Sequence, residues 1–479
     1  MANLGAAGRC LDDAAFEALA GEIEKVVGSQ GFSRDPDVCE SHARDWSGMA
    51  AAAPRAVVRP SSTEEVSQIL RLCNGAGQPV ALQGGRTGLA GGASTDAREI
   101  ALSLDRMTAV GAVDTMAGTV TVDAGATLQA VQEAADDHDL FYAVDLGARG
   151  TAAIGGTIAT NAGGIRVVRY GMTRAQVLGL EAVLADGTVL TDMSGIIKNN
   201  TGLDLKQLFI GSEGAFGVIT RAVLKLHPKQ PCRVTAWISL ASDNALPEVL
   251  TAARKSLGSS LSAFEPMWPD YLDTVSRRMP KFPIPLPAGD GPAVILELLG
   301  DDQDAERQRM EAFLGGLLET GLVADAVLAE TIDQERRIWA VRDEVPAEYQ
   351  TTFQGMIAFD VSIPVSRMVG AVRALRAELI DRVPDADRLI YGHLGDDNLH
   401  LVLGFQQPVG KDLKNTVETL VYDLVRELGG SVSAEHGIGR WKRPWLGHTR
   451  SPAEIETMRR LKTALDPNGI LNPGRILPD

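Results

Sequence analysis

Histidine is scarce in this sequence, seven in 479 residues, yet two of them flank one turn-forming stretch: Gly392-His393-Leu394-Gly395-Asp396-Asp397-Asn398-Leu399-His400. Apolar residues lead in (Leu389, Ile390) and lead out (Leu401, Val402, Leu403), the pattern of a β-hairpin. A two-residue turn at Asp396-Asp397 would set His393 opposite His400. Directly opposed residues have Cβ atoms roughly 4.5–5.5 Å apart, so both imidazoles would share one face as a clamp for a divalent metal. Two hydrogen-bonded histidines at the rim of a sheet fit the same pattern, and the hairpin alone leaves both readings open.

A carboxylate and a further histidine stand in Ser433-Ala434-Glu435-His436-Gly437-Ile438-Gly439-Arg440. Two histidines plus one glutamate make a three-ligand set that leaves a coordination position open. Strand alternation would send Glu435 and His436 to opposite faces, so Gly437 has to turn the chain if both serve one site.

A different chemistry is written in glycine. Five glycines fall between residues 84 and 92 of Gln83-Gly84-Gly85-Arg86-Thr87-Gly88-Leu89-Ala90-Gly91-Gly92-Ala93. Without side chains, such a backbone can bend through positive φ and bring its N–H groups onto an anion. It is neither Gly-x-Gly-x-x-Gly nor a Walker loop, and by itself it could be an ordinary connection. Two more clusters follow, Asp145 to Gly164 and Gly211 to Thr220. Three backbone-exposing loops in one region point to an extended, phosphate-bearing ligand.

The elements that must carry these residues are legible. Residues 12–30 form an amphipathic helix with Phe16, Leu19, Ile23 and Val27 on one stripe. Ser62 and Glu65 suggest a capping box for a helix with Val66, Ile69, Leu70 and Cys73 on its apolar face. Strands are expected at Ala56-Val57-Val58, Val80-Leu82, Ile100-Leu104 and Val120-Val122, and a hairpin turns at Asp186-Gly187. The prolines of Leu226-His227-Pro228-Lys229-Gln230-Pro231 mark a boundary. Beyond it, strands at 234–238, 261–264, 294–299 and 323–328 alternate with helices near 246–256 and 303–321 in β-α-β-β-α-β order. Strand 356–363, a helix at 366–380, the hairpin, a helix at 411–428 and strand 431–433 repeat it. Two such units predict a sheet with helices packed on one side.

Composition excludes several classes. A formal charge of −16, from 46 basic and 62 acidic residues, argues against a nucleic-acid or anionic-membrane surface. Cys10, Cys39, Cys73 and Cys232 are scattered without a Cys-x-x-Cys and form no zinc or redox motif. No run approaches the apolar length of a membrane span, and Met1 to Gly5 carries no signal pattern. The cytoplasm is the expected location.

With these motifs assembled, residues 50–228 resemble the FAD-binding domain of the vanillyl-alcohol oxidase / p-cresol methylhydroxylase flavoprotein superfamily. The resemblance implies that residues 84–92 (Gly84, Gly85, Arg86, Thr87, Gly88, Leu89, Gly91 and Gly92 among them) cradle the FAD pyrophosphate. It also implies that Asp145, Thr151, Gly155, Thr157, Asn161, Gly163 and Gly164 line the flavin, with Ser212, Glu213, Ile219 and Asn472 nearby. Arg86 stands where some relatives attach FAD through a histidine, which implies non-covalent binding. Over nearly the whole chain, the sequence is similar to the FAD-linked D-2-hydroxyacid dehydrogenases. The segments that carry this are 392–400, Glu435-His436-Gly437, and Asp466-Pro467-Asn468-Gly469-Ile470-Leu471-Asn472-Pro473-Gly474.

The implied fold is α+β: an N-terminal helical segment (1–49), the FAD domain (50–228), a ferredoxin-like substrate or cap domain (229–430), and a C-terminal helical segment returning to the flavin (431–479). The implied activity is oxidation of a D-2-hydroxy acid, D-2-hydroxyglutarate or D-lactate first, to the 2-oxo acid with hydride passing to flavin. A subunit of a larger complex like the glycolate-oxidase D subunit, or an oxidase using oxygen, are the alternatives. The resemblance implies a divalent ion, zinc, on His393, His400 and Glu435, with His436 as base. Arg342, in Ile338-Trp339-Ala340-Val341-Arg342-Asp343, would hold the substrate carboxylate. An electron-transfer flavoprotein or a quinone is the implied acceptor, and a homodimer the implied assembly.

Three positions depart from the family pattern. Asp397 replaces the usual glycine of the hairpin, a place where aspartate tolerates positive φ. Ala358 replaces a lysine common before the Asp360-Val361-Ser362 strand, and Val402 an asparagine common in D-2-hydroxyglutarate enzymes. The last two changes remove polar groups that would serve a second substrate carboxylate.

Overall fold

The structure is a computed structural model that describes residues 11–287 and 289–478. Cys10 and the N-terminal stretch read for a targeting signal lie outside the described residues. The chain divides into two compact units. The first comprises the chain up to Gly164, Gly171–Lys229, and the segment from Glu435 onward; the second comprises Ile165–Tyr170 and Gln230–Ala434.

In the first unit, the N-terminal stripe forms as its spacing dictates. The helix Asp13–Val27 begins at Asp12, whose carboxylate accepts the Ala15 N–H, and buries Phe16, Leu19, Ile23 and Val27. The helix Thr63–Ala76 buries Val66, Ile69, Leu70 and Cys73, and Ser62 accepts from the Glu65 N–H. The expected capping box is displaced by one residue, because the Glu65 carboxylate takes the N–H of Ser61, at 2.7 Å, instead of that of Ser62. These helices pack near a four-stranded sheet in the order Phe32–Ser33, Val57–Val58, Ile100–Ser103, Val80–Gln83. Its last three strands run parallel. A second, fully antiparallel sheet has the order Val110–Asp114, Thr119–Asp123, Val218–Lys225, Val177–Val183, Val189–Asp192. The hairpin expected at Asp186-Gly187 joins its last two strands, with Gly187 at φ 83°. The C-terminal segment enters this unit through a parallel bridge from Leu471 to Val80.

The second unit is built on a seven-stranded antiparallel sheet. Its order is Val323–Leu328, Cys232–Leu240, Ala293–Gly300, Leu261–Met267, Asp387–His393, Asn398–Phe405, Gly355–Ser362. The first four strands have the ferredoxin-like order 4-1-3-2, and the next three repeat it. The repeat's fourth strand, expected at 431–433, is reduced to one bridge between Ser431 and Ser362. Helices are not confined to one side. Ala245–Leu257, Gln303–Glu319, Val365–Arg382 and Lys411–Glu427 are the four the repeat requires. Pro269–Arg278 and the full extent of Ile332–Asp343 are additional. They place Tyr271, Leu272, Val275, Ile338 and Val341 over Trp237, Met267, Ile295 and Tyr391 of the sheet. Pro269 starts one of them at its first helical position, where a missing N–H costs nothing. Both faces of the central strands are therefore buried, which is why Leu261–Met267 and Ala293–Gly300 are buried at every position.

Candidate active site

The glycine loop follows the strand Val80–Gln83, and its backbone is shaped by contact. A Cβ on Gly85 would run into the Thr151 carbonyl, and one on Gly84 would stand 3.0 Å from the Ala153 Cβ. Gly91 and Arg86 both take positive φ, 76° and 54°. Among the described residues, no main-chain N–H of residues 84–92 donates a hydrogen bond. A run of unclaimed amides at this density is the chemistry an anionic pyrophosphate requires, so the loop fits the FAD implied by the resemblance.

The other residues named for the cofactor lie in the same unit, but several of their side chains have partners of their own. Thr157 Oγ1 donates to the Ile154 carbonyl and Ser212 Oγ to that of Phe209. Asn161, at φ 51°, accepts the Arg174 N–H. Asp145 pairs with Arg149 at 3.3 Å, and Ile219 is a buried strand residue paired with Ala182. Gly155 packs on Ala124 and Gly164, at φ 131°, on the Asp145 carbonyl. Thr151 presents its carbonyl to Gly85, and Gly163 lies beside Gly164 in a stretch without regular structure. Asn472 is a strut: its Oδ1 accepts from Leu82 N, and its Nδ2 donates to the Glu213 carbonyl.

Glu213 has a role that its sequence position does not reveal. Its carboxylate accepts the N–H groups of Ile438 at 2.7 Å and Gly439 at 2.8 Å. Burial pushes its pKa up, against those two amides and the charges of Lys442 and Arg475. Glu435 is held in the same manner, taking the Gly164 N–H at 2.8 Å. Residues 435–439 are thus pinned from both sides within this unit, and Gly437 makes the required turn at φ 76°. His436 stands between the two anchors, half-buried.

In the second unit, the hairpin departs from expectation in register. His400 pairs with Tyr391, and His393 with Asn398. Four residues make the turn instead of two: a 3₁₀ turn over Leu394–Asp396, then Asp397 in the left-handed region at φ 68°. Asp397 is anchored there by the Ile363 N–H on its carbonyl and the Val365 N–H on its carboxylate. The register moves by two residues, an even number, so the parity is unchanged. His393 and His400 are diagonal neighbours on one face, with ring centroids 5.3 Å apart and planes at 83°.

The side chain that fixes this pair was not named from the sequence. Glu265, 1 % exposed in the strand Leu261–Met267, lies 2.8 Å through Oε1 from His393 Nδ1 and 3.1 Å through Oε2 from Arg342 Nε. Arg342 Nη2 reaches His393 Nε2 at 3.1 Å, and its guanidinium lies 4.6 Å from the centre of the Tyr391 ring. An arginine can only donate, so Nε2 accepts and the proton sits on Nδ1, facing Glu265. Burial alone would lower the Arg342 pKa, but Glu265, helped by Tyr391 and Asp343, raises it and keeps the guanidinium charged. Asp360, fully buried opposite His400, stands 3.8 Å from His400 Nδ1, too far for a hydrogen bond. The chemistry of this group, two imidazoles on one face with a carboxylate behind one of them, fits a divalent ion.

The chain matches two family models, "FAD binding domain" over residues 54–192 and "FAD linked oxidases, C-terminal domain" over residues 230–476. The second covers more than half of the sequence. The chain belongs to the FAD-linked oxidase family. This family member is 37 % identical over 458 residues to a probable mitochondrial D-2-hydroxyglutarate dehydrogenase of Oryza sativa subsp. japonica, covering 95 % of this chain and 81 % of the rice protein. It is 34 % identical over 467 residues to a putative mitochondrial D-lactate dehydrogenase of Schizosaccharomyces pombe, covering 96 % and 88 %. A solved structure of p-cresol methylhydroxylase with substrate bound has the same fold, with a TM-score of 0.79 at 16 % identity over 97 % of each chain. The chain is an FAD-dependent oxidoreductase closely related to D-2-hydroxyglutarate and D-lactate dehydrogenases.

The comparisons overturn one expectation. Both of those relatives are named as mitochondrial, so the cytoplasmic location read from the sequence does not stand. That reading rested on scattered cysteines without a redox motif, on the lack of an apolar run of membrane length and on an N-terminal stretch without a secretory pattern, and none of these says which compartment holds the protein. No helix among the described residues is long and apolar enough to cross a membrane.

Proposed function

We propose that this protein oxidises a D-2-hydroxy acid to the 2-oxo acid, using non-covalent FAD and a divalent ion, zinc first among candidates, held by His393, His400 and Glu435. The observation that carries the reading is the His393–His400 pair with Glu265 locked behind His393. Chain connectivity supports the third ligand. The Ala434 N–H bonds to the carbonyl of Asp360, the residue opposite His400, and Glu435 is the next residue along. In this reading residues 50–228 bind FAD, 229–430 form the substrate domain, and 431–479 return to the flavin.

When bound, FAD accepts a hydride and the divalent ion acidifies the substrate hydroxyl. His436 takes the hydroxyl proton, a task suited to a neutral imidazole near pH 7. Arg342 holds the substrate carboxylate by charge-assisted hydrogen bonds, for which its planar fork is better suited than a lysine. An ion at His393 Nε2 would replace the Arg342 donor there, leaving that donor to the substrate. Electrons then pass to an electron-transfer flavoprotein or a quinone.

The test is turnover of D-2-hydroxyglutarate and D-lactate with an artificial dye. His436→Ala is expected to remain yellow, with FAD bound at the wild-type ratio, and to lose turnover. Full activity in that variant removes the assigned base.

A further inference from the structure

The face of the sheet that carries the two histidines is ordered in rows, because directly paired residues on adjacent strands share a face. One row is Tyr391, His400 and Asp360. The next row, about 7 Å along the strands (two residues at ~3.3 Å each), is Leu389, Val402 and Ala358. None of these three side chains can donate or accept a hydrogen bond. Leu389 and Val402 are buried, at 0 % and 5 %, while Ala358, on the edge strand Gly355–Ser362, is exposed. Beyond them lie Gly404 and the partly buried Met356. Asp387 closes that row, engaged by Arg277 and Arg278 at 2.9 Å each. The cation of the site, Arg342, lies to the other side, against Glu265, His393 and Tyr391.

From this arrangement we infer that the subsite next to His400, formed by Val402 and Ala358, takes an uncharged alkyl tail. The preferred substrate is therefore a monocarboxylic D-2-hydroxy acid of short chain, not a dicarboxylic one. The inference rests on the proposed binding of a hydroxy acid at the histidines, with its carboxylate toward Arg342. In that pose the tail leaves His400 on the side away from Arg342 and lies along the apolar row. An alkyl group gains by burial there. A terminal carboxylate would lose hydration and find no side-chain partner in the row.

The experiment uses the full-length holoenzyme and compares kcat/KM for D-lactate, D-2-hydroxybutyrate, D-2-hydroxyvalerate and D-2-hydroxyglutarate with a dye acceptor. The last two share a five-carbon chain and differ in ending as methyl or carboxylate. D-2-hydroxyvalerate is expected to exceed D-2-hydroxyglutarate at least tenfold, and each added methylene to raise kcat/KM about fourfold, the burial gain for one CH₂. Equal or better use of D-2-hydroxyglutarate would overturn the inference and leave the proposed activity standing. Turnover of none of the four would overturn the proposed activity and the inference with it. Ala358→Lys supplies a cation at the exposed edge of the row. It should move the valerate-to-glutarate ratio at least tenfold toward the dicarboxylate, and shift the relative affinities of 2-oxovalerate and 2-oxoglutarate, read from flavin absorbance, in the same direction. An unmoved ratio in both measurements would place the tail elsewhere.

Discussion

Glu265 decides how His393 behaves. A charged residue in an otherwise apolar strand is rarely fully buried unless it is paired, and Glu265 is paired twice, with the His393 imidazole and the Arg342 guanidinium. Its carboxylate sets the proton on Nδ1 and makes Nε2 the acceptor, and in the proposed metal site Nε2 would be the ligand atom, the arrangement by which an outer carboxylate orients a metal-binding histidine. Glu265→Gln should therefore weaken metal binding by about 10–100-fold while FAD content stays unchanged, measured by competition with a chelator of known affinity. His393→Ala should lose metal and activity together. The signal for Glu265 was present in Leu261-Ser262-Ala263-Phe264-Glu265-Pro266-Met267, where one acid interrupts a strand pattern. Its partners lie 77 and 128 residues away, and spacing in the sequence cannot reach across that distance.

At the scale of elements, the glycine loop and the hairpin were both legible, for different reasons and to different depths. Glycine composition announces a backbone surface, and the loop's unclaimed amides are that surface. Gly85→Ala should cost the enzyme its flavin, since the new methyl meets the Thr151 carbonyl. A colourless, folded variant by absorbance and circular dichroism is the expected result, and normal FAD content would contradict it. For the hairpin, alternation placed both histidines on one face, but the register depended on a local event, the left-handed conformation of Asp397. Both variants lose the carboxylate that accepts the Val365 N–H, but only a β-branched residue is strained at positive φ, so Asp397→Val should lose about 1–2 kcal/mol more than Asp397→Gly in urea denaturation. The helix Pro269–Arg278 escaped notice because its polar face breaks the apolar run, although Tyr271, Leu272 and Val275 supply a buried stripe.

For the whole molecule, the succession of strands and helices in the second half followed from alternation and turn chemistry, whereas the first-half strands Phe32–Ser33, Val110–Asp114 and Val218–Lys225 were not read. Nor were the six residues Ile165–Tyr170. They belong with the second unit although the sequence on both sides belongs to the first, and Arg166 and Arg169 are tied to Glu297 and the Leu299 carbonyl of that unit's sheet. Such an insertion leaves no compositional trace. The return of the C-terminal segment is better marked, by Asn472 and by Arg475, which pairs with the buried Glu99 at 2.7 Å. The proposed reaction requires flavin, metal and a D-2-hydroxy acid to meet. Its most direct test is anaerobic reduction of the bound flavin, followed by loss of its visible absorbance, with D- and L-forms of the short-chain 2-hydroxy acids before and after chelation. The predicted result is rapid bleaching by the D-acids alone, abolished by metal removal and restored by adding zinc. Bleaching that is indifferent to the chelator, or equal for the L-acids, would contradict the account.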